Sequence, residues 1–413
     1  MLPNRAFNLT FLILAINFFV LGLLSTIIGV SIPEIKADFQ INNEQAGALF
    51  VYWSAGFFIG AFFGGKAFYV LNIKALFIVV SLASITCLSV LYATDNIIVF
   101  GIVSFLLSSF LSTLLTAGHA VAARINSRNK AATISILDFT VSMGNLATPL
   151  LINFVYRSNV ELFDWRSIFA LSGILLLISV ILVLANRFDS FKLDKEDTFT
   201  RGAGYLRVIF TPVFFSFMVA CFFMQAVEWG HIVWFVTYAS EGLQLTANEA
   251  REVFTYFLGG MVIARFLNGV YLARRFKPSL LLITMLVSAT VASFIILTVA
   301  DVMLLSIFNF AFGFGYGAVF PLLLGLSMDV EPRYSALLSG IGLMAGTIGA
   351  QIASYLIGFL SENVSINYAY GYVFFSMAAL LMSSLLFIGL QIRASRLSAD
   401  PETRIAKPEA AEG

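Results

Sequence analysis

Between Leu9 and Ile32 the chain carries no charged residue. A run of that length is what an α-helix needs to cross roughly 30 Å of hydrocarbon. Comparable runs recur along the sequence and predict spans near 9–33, 45–70, 75–93, 97–124, 131–156, 166–186, 208–240, 249–273, 278–299, 302–328, 333–360 and 370–393. A closed barrel would show alternating strands of about ten residues, which runs such as 167–185 lack. The fold class expected is therefore an all-α membrane protein of twelve transmembrane helices. The first run is too long for the apolar core of a secretory leader and has no small-residue cleavage site after it, so it reads as the first span.

Composition agrees: 60% of the 413 residues are hydrophobic and 11% charged, against roughly 45–50% and about 25% in soluble domains. The net charge of +1 gives no field for nucleic acid. Cys87 and Cys221 both lie in apolar runs, where they read as small packed residues rather than a disulfide or metal site. No cofactor or metal is expected, and the partners expected are membrane lipid, a small-molecule substrate and protons, with the chain a monomer.

If the amino terminus is cytoplasmic, 19 of the 24 lysines and arginines fall on the cytoplasmic side, and only Lys36, Arg157, Arg166 and Arg251 lie outside. The positive-inside rule then puts both termini in the cytoplasm. The longest polar interval between spans divides them six and six. It defines an amino-terminal half over 1–186, a cytoplasmic linker over 187–207, a carboxy-terminal half over 208–393 and a polar, disordered tail over 394–413. Gly65 and Lys74 have counterparts in Gly269 and Arg274, as duplicated halves require. Gly340, Gly342, Gly346 and Gly349 form a small-residue face in the eleventh span, suited to close packing or to sliding.

An ionisable side chain at mid-bilayer costs about 2.5–3.5 kcal/mol on insertion scales, so the few present are candidate functional groups. In the seventh span Gln225, Glu228 and His231 recur every third residue, flanked by Trp229 and Trp234. Their spacing suggests one face. A carboxylate and an imidazole sharing a water-poor site can hold a proton near neutral pH. A proton-linked substrate site is expected here, the alternative being a structural polar knot. Asp138 is a substrate or proton ligand, or a counter-charge to the Arg124, Arg128 and Lys130 cluster. Asn17, Asn145, Asn309 and Gln351 are possible hydrogen-bond partners for a solute. His119, Arg124, Arg265 and Asp329 are assigned to gating or structural charge. Gly313, Gly315 and Gly317 imitate a phosphate loop but lie within an apolar span with no adjacent lysine, and no HExxH pattern occurs.

The stretch Gly259 to Pro278, with Phe320-Pro321, Ser142-Met143-Gly144 and Pro33, resembles the major facilitator superfamily, particularly its fucose permease-like branch of sugar:proton symporters. The chain also resembles the TsgA-like membrane proteins through Asp138, Ser142-Met143 and Pro149. The resemblance implies two six-helix halves and transport without enzymatic activity. It departs from the branch at its two membrane carboxylates: Gly29 stands where the first span has an aspartate, and Leu115 where the fourth has a glutamate. The function expected is secondary transport of a small polar solute such as a sugar across the inner membrane, with proton coupling. Efflux of amphiphilic compounds and a non-transporting receptor on the same scaffold are the alternatives.

Overall fold

The computed structural model describes residues 4–70, 72–125, 130–158, 163–185, 210–272, 275–328 and 335–399. Among these residues every regular element is helical. The amino-terminal helices are α1 (Asn4–Val30), α2 (Ile32–Phe39), α3 (Asn43–Val70), α4 (Ile73–Ala93), α5 (Ile97–Ile125), α6 (Lys130–Arg157) and α7 (Ser167–Ala185). The carboxy-terminal helices are α8 (Pro212–Thr237), α9 (Ala247–Leu267), α10 (Pro278–Ile296), α11 (Val302–Gly317), α12 (Val319–Met328), α13 (Ser335–Asn363) and α14 (Ile366–Ala399). One π-helical turn, Tyr238–Gly242, continues α8 and another, Asn268–Leu272, continues α9. Among the described residues ten segments are long and apolar enough to cross a membrane. Helices α6 and α9 are of similar length but carry more polar side chains, including Asp138, Asn145, Arg251 and Arg265.

Three local features differ from the sequence expectation. The first span stops at Val30, and the chain resumes after Ser31 as the short α2, with Pro33 in its first turn, where a missing N–H leaves nothing unpaired. The tenth span is not continuous: α11 ends at Gly317 and α12 begins at Val319. Pro321 has no N–H to donate to the carbonyl four residues before it, which is that of Gly317. Helix α14 runs to Ala399, so its first six residues beyond Arg393 are helical where a disordered tail was expected. The expected linker at 187–207 and the remainder of the tail lie outside the described residues.

Close approach of backbones sets the packing. Helices α1 and α6 cross at Gly22 and Gly144, and a Cβ on Gly144 would stand 2.2 Å from the Phe19 carbonyl oxygen. Helices α9 and α11 meet in the same way, a Cβ on Gly313 falling 1.9 Å from the Phe257 carbonyl oxygen. The glycine face of α13 lies on α8, with Gly342 against Phe217, Gly346 against Gln225 and Gly349 against Phe222. The two sets of helices join where α1 meets α8, α3 meets α13 and α6 meets α9.

Gly313→Ala is expected to destabilise the fold by about 1–3 kcal/mol, the cost of forcing volume into a filled contact. Gly173→Ala, where a Cβ meets nothing within 4 Å, should leave stability unchanged. Thermal unfolding of both variants in detergent checks the pair.

Candidate transport site

Pro321 leaves the Gly317 carbonyl without its helical donor, and a side chain from another helix fills the place: Arg265 Nε donates to Gly317 O at 3.2 Å. Side chains on a helix lean toward its amino-terminal end, so Arg265, near the end of α9, reaches back into the bundle. Its Nη1 donates to Ser142 Oγ of α6 at 2.7 Å, and its Nη2 lies 3.4 Å from Glu228 Oε1 of α8. The side chains of Arg265 and Glu228 are 32% and 17% exposed. The Tyr316 hydroxyl of α11 is placed to donate to the Met224 carbonyl at 2.7 Å or to Glu228 Oε2 at 3.3 Å. Trp229, next in sequence, packs on Phe50 of α3 with ring centroids 5.5 Å apart. Three carboxy-terminal helices, α8, α9 and α11, and the amino-terminal α6 thus converge on a single ion pair.

The seventh-span triplet is split: Gln225 turns to α13, while Glu228 and His231 both face α9 and α11, about one turn apart. Glu228 turns to Arg265, whereas His231 is fully buried among Phe235, Phe254, Phe257, Phe312 and Tyr370, its Nδ1 2.6 Å from the Tyr370 hydroxyl. Gln225 lies against Gly346, and its Oε1 is buried without a hydrogen-bond partner among the described residues. The cause is helical pitch: three residues advance a helix by about 300°, so each step slips about 60° and the ends of the triplet diverge by about 120°.

The other expected site residues are scattered. Asp138 pairs with His119 at 2.8 Å, which joins α5 to α6; the two side chains are 54% and 33% exposed. Asn17 is buried and donates to Ile13 O and Ser179 Oγ, tying α1 to α7. Asn145 accepts from Ser25 at 2.8 Å between α6 and α1. Asn309 is buried in α11 and donates to Leu305 O. Gln351 borders a groove of about 770 Å³ between α3, α5 and α13, together with Tyr52, Ile102 and Tyr355, whose exposure opens it at the bundle surface. Asp329 and the side chain of Arg124 lie outside the described residues. Among the described residues no group of His, Cys, Asp or Glu is gathered as a metal site requires, and both cysteines are buried and free.

One end of the bundle is closed by contacts between the two sets of helices, which sequence reading missed because the partners come from helices far apart in the chain. Arg251 of α9 is fully buried. It donates to the Val30 carbonyl at the carboxy-terminal end of α1 and to Asn248 Oδ1, and it pairs with Glu34 of α2. A cation is favoured at that helix end. Lys36 pairs with Glu241 at 2.5 Å, and Asn43 bonds Glu241 and Ser361. Arg157 pairs with Glu252, and Asn153 donates to Asn248 O. Gly29 completes the closure, since a Cβ there would stand 2.4 Å from the Ile232 carbonyl oxygen. No carboxylate fits at that position in this closed arrangement.

The model of the Major Facilitator Superfamily matches residues 14–352. The chain belongs to this family. Among relatives in the superfamily, a TsgA homolog of Buchnera aphidicola is 19% identical over 375 residues, covering 87% of this chain and 92% of the relative. The cis,cis-muconate transport protein of Acinetobacter baylyi is 26% identical over 380 residues and covers 88% of each chain. Of solved structures, a point mutant of the nucleoside transporter NupG aligns with a TM-score of 0.76 at 11% identity, over 92% of this chain and 99% of that one. A point mutant of the fucose:proton symporter of E. coli aligns at 0.60 and 18%, over 93% and 99%. The family and the structural neighbours named are transporters, not enzymes, and the multi-pass architecture is theirs.

Removing one partner of a buried ion pair strands the other, at a cost of about 3–5 kcal/mol. Arg251→Ala is therefore expected to loosen the closed end. A cysteine placed at Ile232, which is 2% exposed, should react with a maleimide about tenfold faster in that variant, whereas Arg251→Lys should restore part of the protection. Equal labelling rates in the parent and Arg251→Ala proteins would show that the cluster does not hold the end shut.

Proposed function

We propose that the chain is a secondary active transporter. It carries a small polar solute, sugars among the class, across the bacterial inner membrane by alternating access, with a proton coupled at Glu228. In this reading twelve spans form two six-helix halves, 1–186 and 208–393. A cytoplasmic linker joins them, both termini are cytoplasmic, and the protein works as a monomer. The closed end is then the outer face: Lys36, Arg157, Arg166 and Arg251 are its basic residues, and all four are ion-paired there. The conformation is accordingly inward-facing.

The observation that carries the reading is the Arg265–Glu228 pair, partly exposed, at the junction of α6, α8 and α11. Intramembrane charges at a junction of helices mark substrate and ion paths. The unpartnered Gln225 Oε1 one turn away supplies an acceptor for a solute hydroxyl. Transport of sugars, nucleosides and cis,cis-muconate among relatives and structural neighbours supports a small polar cargo. Export of an amphiphile is the second reading, favoured by the apolar groove beside Gln351.

In proteoliposomes a panel of small polar solutes is expected to include one that evokes proton uptake, and Glu228→Gln is expected to abolish that uptake while solute binding persists. Uptake of protons unchanged by Glu228→Gln would move coupling to the Asp138–His119 pair. Silence across the panel from folded protein, with loss of drug tolerance on deletion, would favour export of an amphiphile.

A further inference from the structure

The geometry points to a carboxylate as the chemical group that the transport site recognises, bound by Arg265 in exchange for Glu228 when Glu228 takes up a proton. This inference rests on the proposed transport function and narrows its cargo to small polar solutes bearing a carboxylate, such as sugar acids and short organic acids.

Four features carry it. A guanidinium has five N–H donors in a planar fork that matches a carboxylate edge. Arg265 commits one to Gly317 O, one to Ser142 Oγ and one to Glu228, which leaves two uncommitted among the described residues. The contact to Glu228 is long, 3.4 Å, and the guanidinium is 32% exposed, unlike the fully buried Arg251 at the closed end. Charge-assisted N–H···O bonds of full strength run at about 2.7–2.9 Å, so this pair is placed to be exchanged.

The third feature is the Tyr316 hydroxyl. It can donate to the Met224 carbonyl at 2.7 Å or to Glu228 Oε2 at 3.3 Å, its one hydrogen turning between them. A charged Glu228 accepts that hydrogen, whereas a protonated Glu228 can itself donate to the Tyr316 oxygen while the hydroxyl hydrogen turns to Met224. The site thus has a hydrogen-bond acceptor ready for the acid form of Glu228. The fourth is the charge balance. Around Glu228, α9 contributes Arg265 and α11 contributes Tyr316; α6 contributes Ser142, with the Asp138–His119 pair one turn away. Tyr370 and His231 bond each other inside the aromatic core, and Glu34, Lys36 and Arg251 are paired at the closed end. Protonation of Glu228 therefore leaves one positive charge without a partner, on Arg265. One proton and one substrate carboxylate together restore neutrality, whereas a neutral sugar does not.

The exchange fixes a pH sign. A proton on Glu228 favours the anion, so anion affinity rises as pH falls, by up to about tenfold per pH unit for one linked proton. Tryptophan fluorescence, with Trp229 beside the pair, and uptake into proteoliposomes are measured with gluconate, glucuronate and cis,cis-muconate against glucose, fucose and uridine. At least one anion is expected to bind and to enter with one proton, independent of membrane potential for a single carboxylate. Glu228→Gln should keep anion binding but make it independent of pH. Arg265→Gln should weaken anion binding about 10- to 100-fold, and Arg265→Lys, which preserves the charge should Arg265→Gln fail to fold, should weaken it less. Binding and uptake of a neutral solute with no response to the anions would overturn the carboxylate inference and leave the transport function standing. Anion binding whose pH dependence survives Glu228→Gln would overturn the exchange. No binding or flux of any solute by folded protein would overturn both this inference and the function beneath it.

Discussion

Hydrocarbon offers a backbone no hydrogen bonds, and the architecture depends on that constraint more than on any other. Each proline inside a span strands one carbonyl. Pro321 strands that of Gly317, and Arg265 repairs it from α9. Pro149 strands that of Asn145, and Thr26 lies 3.5 Å away on α1. Because each repair comes from a different helix, satisfying the backbone also fixes which helices meet. Arg265 is held by a structural need at Nε, and that need presents the rest of its guanidinium to the interior.

The two charged clusters are built for opposite purposes. At the closed end Arg251 is fully buried and surrounded by a carboxylate, two asparagines and a helix carbonyl, with the Tyr156 ring 5.4 Å from its guanidinium carbon. Little of that guanidinium is left for a ligand, and opening the end requires water to replace several bonds at once. The Arg265 cluster is looser and wetter, with contacts of 3.3–3.4 Å to Glu228. Tight burial makes a latch, since partial rupture leaves a bare charge. Long, partly exposed contacts suit the proposed binding site, since water or a ligand can substitute for one partner.

The spans were legible because twenty apolar residues have few other fates. Their ends were readable wherever a cap or a loop charge stood nearby, as with Asp301, whose side chain accepts from Leu304 at the start of α11. The break at Ala318 was written in Pro321 but hidden by the continuous apolar run around it. Candidate charges such as Glu228, Asp138 and Arg265 stood out by their cost in lipid. Their partners did not: Ser142, Tyr316 and Glu34 are ordinary residues for their positions, and only the crossing of remote helices gives them a role. Gln225 and His231 turn apart because a three-residue repeat on a helix of 3.6 residues per turn spirals off the face where it begins.

The replacement of an expected aspartate by Gly29 redistributes the ionic chemistry of the interior. Tight contact with Ile232 leaves α1 no room for a charge there, so the ion pair of the proposed site belongs to the carboxy-terminal helices. Among the described residues the amino-terminal set contributes a hydroxyl, Ser142, to Arg265. That asymmetry links binding to motion. When α6 moves away from α9 in the proposed cycle, Arg265 loses the Ser142 contact and gains a free donor. A ligand that uses this donor stabilises the separated arrangement, and one that spares it does not. By linkage, a ligand shifts the equilibrium only by its difference in affinity for the two arrangements. Solutes that engage both the guanidinium and the residues around Gln225 are therefore the ones able to drive the halves between their states.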